Sequence, residues 1–305
     1  MNPVSYVTVD VFTETRFAGN PLAVIPDARG LSDEAMQAIA TEFNYSEVTF
    51  VLPPEDPANT AGVRIFTPTA EVPFAGHPNV GTAYVLGRQP EIFGRASGDT
   101  LRFEERAGLV EVSLIRDGGE VVGATIRAPR PLELGDTVTA ETIAACASID
   151  PAKVVTTRHA PIIASVGLAF AVAELDSLEA LAAARPNVSV FADAASLHPR
   201  SGGDFSLFLY VRPVERPWSL RARMFAPLDN VIEDPATGSA SAALAAYLAT
   251  LAPEQNTDIH ITIEQGVEMG RRSVIELDVN KQDGIITKVD ISGRCVGVMR
   301  GSLSL

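Results

Sequence analysis

Residues 233–248 of the chain read EDPATGSASAALAAYL, and residues 77–86 read HPNVGTAYVL. Each opens near a polar residue followed by proline, places a glycine and a hydroxyl side chain a few residues on, and then continues without charge. A helix that is apolar on every face belongs in the interior, so both runs predict a buried helix enclosed by strands. The likeness extends upstream. RIFTPTAEVPFAGHPNVGTA (64–83) aligns with RMFAPLDNVIEDPATGSA (223–240), matching Arg64 with Arg223, Phe66 with Phe225, Pro68 with Pro227, Gly81 with Gly238 and Ala83 with Ala240. A cap residue followed by proline is a common helix start; an RxFxP shared ahead of both is not. His77 and Asp234 lie about half the chain apart, which predicts two halves built on one plan rather than a short tandem repeat.

The remainder of the chain suits that plan. Its 305 residues are enough for two domains of ordinary size. Against 24 basic residues stand 38 acidic ones, and a net charge of −14 argues against nucleic acid or an anionic membrane as partner. Cys146 and Cys295 lack the spacing of a zinc site or redox motif and form no disulfide framework, which points to a reducing, cytoplasmic setting. MNPVSYVTVDVF is not a secretory signal and no apolar run reaches about 18 residues, so a soluble protein is expected. Strand-like runs dominate, among them SYVTVDVF, EVTFVL, LVEVSLI, FSLFLYV, SVIELDV and IITKVDI, broken by Gly, Pro and Asp. Helices are predicted at SDEAMQAIATEF, capped by Ser32 with Met36, Ile39, Ala40 and Phe43 on one face, and at TAETIAACAS and DSLEALAAA. APRPLELGD (128–136) is the best boundary. The expected fold is therefore α+β, with an N-terminal half over 1–130, a C-terminal half over 131–289, and a final strand over 290–305 returning to the first half beside MNPVSYVTVDVF. The active site is expected in the cleft between the halves.

The paired motifs also carry chemistry. Read as caps, His77 and Asp234 leave backbone N–H groups and the positive helix end facing outward, a cradle for a carboxylate, with Gly81 and Gly238 allowing close approach of a ligand. Lys153, Lys281 and Lys288 fall outside both motifs, which speaks against a pyridoxal phosphate Schiff base. No strand-GxGxxG-helix unit marks a dinucleotide site, and Gly293, Gly297 and Gly301 read as turns of a final strand pair. His159, His198 and His260 are assigned no role and are expected in loops or at strand edges. Trp218 reads as a packing residue.

Taken in order, FAGNPLAV (17–24), NYSEVTFV (44–51), RIFTP with FAGHPNVGTA (64–83), RMFAP with EDPATGSA (223–240) and GVEMGRRS (266–273) resemble the PhzF-like isomerases of phenazine biosynthesis, which share the diaminopimelate epimerase fold. The resemblance spans nearly the whole chain. It implies two pseudo-symmetric domains, each a mixed sheet or barrel wrapped around a central helix. It places the catalytic carboxylate on Glu47, the histidine on His77 and the aspartate on Asp234, with Ser46, Gly76, Gly238 and Ser239 binding substrate. It further implies a homodimer that uses no metal and no organic cofactor.

By itself, a glutamate opening an apolar strand is an ordinary solvated strand end. Beside His77 and Asp234, Glu47 becomes part of an acid/base set, whose carboxylate pKa burial and like charge would raise toward the working pH. The expected activity is isomerisation of a small carboxylic acid by moving a hydrogen, with Glu47 removing and redelivering the proton. The family's type substrate is trans-2,3-dihydro-3-hydroxyanthranilate. An amino-acid racemase or epimerase is one alternative, and neither Cys146 nor Cys295 lies at a helix start to serve it. A non-catalytic scaffold is the other, against which the presence of all three titratable groups counts.

Overall fold

The computed structural model describes residues 3–199 and 205–304. The chain forms two compact units, Met1–Arg127 with Ser292–Leu305, and Ala128–Ile291. The first unit contains strands β1 (Val4–Val11), β2 (Asn20–Ile25), β3 (Val48–Leu52), β4 (Ala61–Phe66), β5 (Glu71–Val72), β6 (Glu91–Ile92), β7 (Arg95–Ala96), β8 (Thr100–Glu105), β9 (Gly108–Asp117) and β10 (Glu120–Arg127). Its helices are α1 (Asp33–Phe43) and α2 (Gly76–Gly87). The second unit contains β11 (Glu133–Thr137), β12 (Val154–Val155), β13 (Ile162–Ser165), β14 (Ala169–Leu175), β15 (Ser206–Val211), β16 (Ser219–Ala226), β17 (Val231–Asp234), β18 (Thr257–Gln265) and β19 (Ser273–Gln282). Helices α3 (Ala140–Ala147), α4 (Leu178–Ala183), α5 (Val188–Leu197) and α6 (Gly238–Leu251) belong to it as well. The last strand, β20 (Ile285–Leu303), supplies residues to both units.

In the first unit β1, β2, β3, β4, β8, β9, β10 and β20 pair in that order, and β20 pairs back onto β1, so the sheet is a barrel without a free edge. Residues of β20 run antiparallel to β1 from Val4 opposite Leu303 to Val11 opposite Cys295. The glycines of this segment lie inside the strand rather than in turns. Side chains crowd the places where a Cβ would stand: Phe12 at Gly293 and Tyr6 at Gly301. Helix α2 is buried along its length from His77 to Gly87, as its all-round apolar sequence requires. A Cβ on Gly81 would come within 2.6 Å of Leu22 and 2.8 Å of Val11, so this glycine seats α2 against β1 and β2. The expectation that Gly81 opens space for a ligand is thereby corrected; what approaches it is the barrel wall.

In the second unit the strand order is β11, β13, β14, β15, β16, β18 and β19, with β12 beside β14 and β17 beside β16. Every residue of β15 is buried, the pattern of a strand covered on both faces. Leu207 and Leu209 pack on one side with Ile143 of α3, Leu181 of α4 and Phe191 of α5. Helix α6 is buried from Ala240 to Ala249 apart from its ends and packs on β13, β14, β18 and β19. Its C-terminal carbonyls are met by Lys281, whose Nζ donates to Ala252 O at 2.8 Å and Ala249 O at 3.1 Å. A cation there completes orphan acceptors and suits the negative helix end. The helix starts at Ser32, Thr139 and Ser177 each use the side chain as cap. No helix among the described residues is long and apolar enough to cross a membrane.

Candidate active site

Glu47 stands at the entrance to β3, and the local chain explains why. Helix α1 ends at Asn44, whose left-handed backbone (φ 51°) returns an N–H to Ala40 O and turns the chain back. Four residues later β3 begins, paired parallel to β2 through Val48 and Ala23 and antiparallel to β4 through Val48 and Phe66. His77 comes from the first turn of α2. The two are held in register by a buried hydrogen bond between Thr82 of α2 and Thr49 of β3, 2.8 Å between hydroxyl oxygens. His77 Nδ1 then lies 3.5 Å from Glu47 Oε2. Ser46 is partly buried next to Glu47.

The His77 ring is 6 % exposed. Burial pushes its pKa down to about 3, against the opposing pull of a hydrogen bond at the backbone of Pro21, which, lacking an N–H, accepts through its carbonyl. The imidazole is therefore neutral at pH 7, and its approach to Glu47 is a neutral-to-acid contact rather than an ion pair. A consequence follows for stability. The unfolded chain takes up a proton on His77 below about 6.5 while the native state refuses it down to about 3. His77 thus costs stability as pH falls through that window. Relative to a His77→Asn variant, the wild type should lose about 1.4 kcal/mol per pH unit between about 6.5 and 3, read by denaturant titration at several pH values; a constant difference would contradict a buried neutral His77.

Asp234 ends β17 and is 7 % exposed. The helix it precedes does not begin on it. Helix α6 starts at Gly238 with Thr237 as the flanking residue, and α2 starts at Gly76 with Ala75 in that place; neither has a side-chain cap. His77 is thus the second residue of its helix and Asp234 lies ahead of its own, which corrects the reading of both as caps. The sequence match hides this because the proline after His77 is accommodated inside the first turn, where its missing N–H costs nothing. At Asp234 the side chain is engaged instead with Thr237, whose Oγ1 donates to Oδ2 at 2.5 Å. Gly76, at the start of α2, and Gly238 and Ser239, at the start of α6, are placed at uncapped helix N-termini.

Several residues that the sequence reading passed over complete these segments. Gln265, the last residue of β18 and fully buried, donates to Asp234 O at 2.7 Å and Thr237 Oγ1 at 3.0 Å and accepts from Thr237 N at 3.0 Å. Gly266, with φ +74°, follows it; a Cβ there would stand 2.6 Å from Pro235 O and 2.5 Å from Arg271 O, so the GVEMG turn fits beneath DPATG only with glycine. Gln265→Ala should destabilise the protein by about 1–3 kcal/mol for each buried group it orphans, measured by thermal or chemical unfolding; an unchanged midpoint would show that the clamp carries no weight. The two RxFxP arginines each hold a glutamate of their own unit. Arg64 grips Glu71 at 2.8 and 2.7 Å and Arg223 grips Glu233 at 2.8 Å through two nitrogens, each guanidinium lying over its own Phe66 or Phe225. The glutamates they hold were not singled out from sequence.

His159 and His198 lie in loops, as expected, while His260 lies within a strand. His159 is buried, with Nε2 2.6 Å from the Tyr210 hydroxyl and Nδ1 2.8 Å from Ala160 O, and Tyr247 of α6 against its ring. His260 lies within β18 between Asp278 and Glu276, and His198 ends α5 stacked on Phe205. Cys146 and Cys295 are both buried free thiols, the former pushed up to about 12 and the latter also raised by burial. Among the described residues no three His, Cys, Asp or Glu side chains gather as metal ligands.

Comparison with known proteins accords with this arrangement of motifs. The family described as phenazine biosynthesis-like protein matches residues 9–301. The chain belongs to that family. It is 36 % identical over 308 residues to an uncharacterized isomerase of Mesorhizobium japonicum, covering 99 % of each chain. It is also 36 % identical over 303 residues to the trans-2,3-dihydro-3-hydroxyanthranilate isomerase of Pseudomonas aeruginosa, covering 97 % of this chain and 98 % of that one. Its fold is similar to the crystal structure of a PhzF-family phenazine biosynthesis protein of Bacillus anthracis, with a TM-score of 0.87, 23 % identity and full coverage of both chains. For this family member the mixed α+β fold and the barrel built around α2 are thus shared features.

Proposed function

We propose that this member of the phenazine biosynthesis-like family is a cofactor-independent isomerase that relocates a hydrogen on a small carboxylic acid by general acid/base catalysis. The observation that supports the reading most is the pairing of Glu47 with a neutral His77, 3.5 Å apart at the start of a buried helix. A carboxylate is the group suited to take a proton from carbon, and a neutral imidazole beside it orients it without neutralising it by charge. Asp234 is proposed to act on the same substrate, and the two halves are proposed to be pseudo-symmetric domains, each with its own central helix. The uncapped N-termini at Gly76 and at Gly238 and Ser239 supply N–H donors and positive dipole ends for the substrate carboxylate, with Ser46 adding a hydroxyl. In an acidic protein such local donors have to overcome an unfavourable overall field. The protein is proposed to work as a homodimer in the cytoplasm.

The relative named trans-2,3-dihydro-3-hydroxyanthranilate isomerase supplies the first substrate to try. Incubation with trans-2,3-dihydro-3-hydroxyanthranilate and with a panel of unsaturated cyclic and acyclic carboxylates, followed by NMR, tests the reading. A product with a moved double bond is expected from at least one of them. Inversion of an amino acid in a parallel panel, with no double-bond shift in the first, would replace it by the epimerase reading.

A further inference from the structure

The contacts of Gln265 have a direction as well as a length. Two backbone groups fix the orientation of its side-chain amide, because neither can reverse its own polarity. The N–H of Thr237 can only donate, and does so to Oε1 at 3.0 Å; the carbonyl of Asp234 can only accept, and does so from Nε2 at 2.7 Å. One hydrogen of Nε2 is thereby taken. The other goes to Thr237 Oγ1, 3.0 Å away. A hydroxyl that receives a hydrogen from the amide has its own to give, and Thr237 gives it to Asp234 Oδ2 at 2.5 Å, the short length of a hydroxyl on an ionised carboxylate. Were Oδ2 to carry a proton, it would donate to Thr237 instead, and the displaced hydroxyl hydrogen could not turn to Gln265, whose facing atom is itself a donor. Gln265, Thr237 and Asp234 are all buried, where such a mismatch is costly.

The paired motifs agree with this division. DPATGSA carries Thr237 at the position where HPNVGTA carries Val80, a residue of nearly the same shape without a hydroxyl. The copy led by aspartate has the donor, and the copy led by a neutral histidine does not. Of the charged side chains on β16, on β17 and in the turn after β18, Arg223 grips Glu233, Arg221 meets Glu268 at 3.1 Å and Arg272 meets Glu264 at 2.9 Å; Arg271 shares that turn.

We propose that Thr237 and Gln265 are positioning residues for Asp234: a one-way chain of hydrogen bonds, from the Gln265 amide through the Thr237 hydroxyl to Oδ2, holds that side chain as an ionised acceptor. Asp234 then meets the substrate as a fixed carboxylate and not as the acid that delivers a proton, which stays with Glu47. The effect on turnover rests on the reading of Asp234 as part of the reaction site; the chain of hydrogen bonds does not.

Thr237→Val removes the hydroxyl and keeps the shape, and Thr237→Ser keeps the hydroxyl. With aspartate labelled at its side-chain carboxyl carbon, the NMR signal lost in Asp234→Asn identifies Asp234. In the wild type that signal should be of an ionised carboxylate at pH 7. In Thr237→Val its titration midpoint should rise by about 1 to 2 pH units, the scale of one hydrogen bond to a charged group, and in Thr237→Ser it should return toward the wild-type value. A protonated Asp234 at pH 7 in the wild type, or a midpoint that Thr237→Val leaves in place, would overturn the proposal. If the valine variant does not fold, Thr237→Ala removes the same hydroxyl, and the wild-type measurement needs neither. None of this requires turnover, so it stands apart from the isomerase reading. With a substrate in hand, Thr237→Val should lower kcat by about 10- to 10²-fold and move the acidic limb of the kcat/KM profile upward by the same pH units as the NMR midpoint, and Thr237→Ser should recover both. A fall in kcat with the limb unmoved would mark a merely structural role and overturn the positioning of Asp234.

Discussion

Glu47→Gln should lower turnover by about 10²- to 10⁴-fold, the usual contribution of a positioned acid/base, while a carboxylate ligand still binds. The substitution preserves shape, and its amide can occupy the place of Glu47 Oε2 beside His77 Nδ1. What it removes is the proton acceptor. His77 cannot take over, because burial that pushes its pKa down to about 3 makes it a poor base at neutral pH. The helix N-termini that would bind the substrate carboxylate are untouched, so binding by calorimetry should persist. Turnover at the wild-type rate would remove Glu47 from the mechanism.

The second large effect is structural. Deletion of residues 293–305 should abolish cooperative folding of the first unit. The deleted segment is paired to β1 along its length and flanks β10, where the backbone of Gly293 and Arg294 lies close against Gly123. Its loss breaks a closed barrel, leaves backbone groups unpaired on both β1 and β10, and exposes Tyr6 and Phe12, which now fill the spaces over Gly301 and Gly293. The second unit keeps residues 285–291 of β20 beside β19. Hydrogen exchange on the truncated chain should show protection lost across the first unit. Protection retained in β1, β2 and β10 would contradict the closed barrel.

Much of this was legible in the sequence because the decisive signals are local or repeated. Charge-free runs such as SASAALAAYLA leave a helix no exposed face, and α2 and α6 are buried accordingly. Ser32, Thr139 and Ser177 each cap the helix that their spacing predicts. What escaped depends on partners distant in sequence. Helix α5, over VSVFADAASL, has β-branched residues and no side-chain cap, and its place is set by packing against Phe205 and Ile143. Gln265 reaches Thr237 across 28 residues, a pairing that the parallel strands β16 and β18 create and no local pattern announces. The matched His77 and Asp234 misled in one respect: identical proline spacing conceals a helix that begins before one and after the other. His159 is buried by its contact with Tyr210, whose strand is distant in the chain.

The central claim is that the protein moves a hydrogen from one carbon to another without inverting an amino acid. Turnover in deuterium oxide, with products analysed by NMR and chiral chromatography, tests it most directly. A product with a shifted double bond, bearing hydrogen or deuterium at the new C–H position and absent with Glu47→Gln, is the predicted result; deuterium confined to an inverted α-carbon of an amino acid, with the carbon skeleton's unsaturation unchanged, would contradict it.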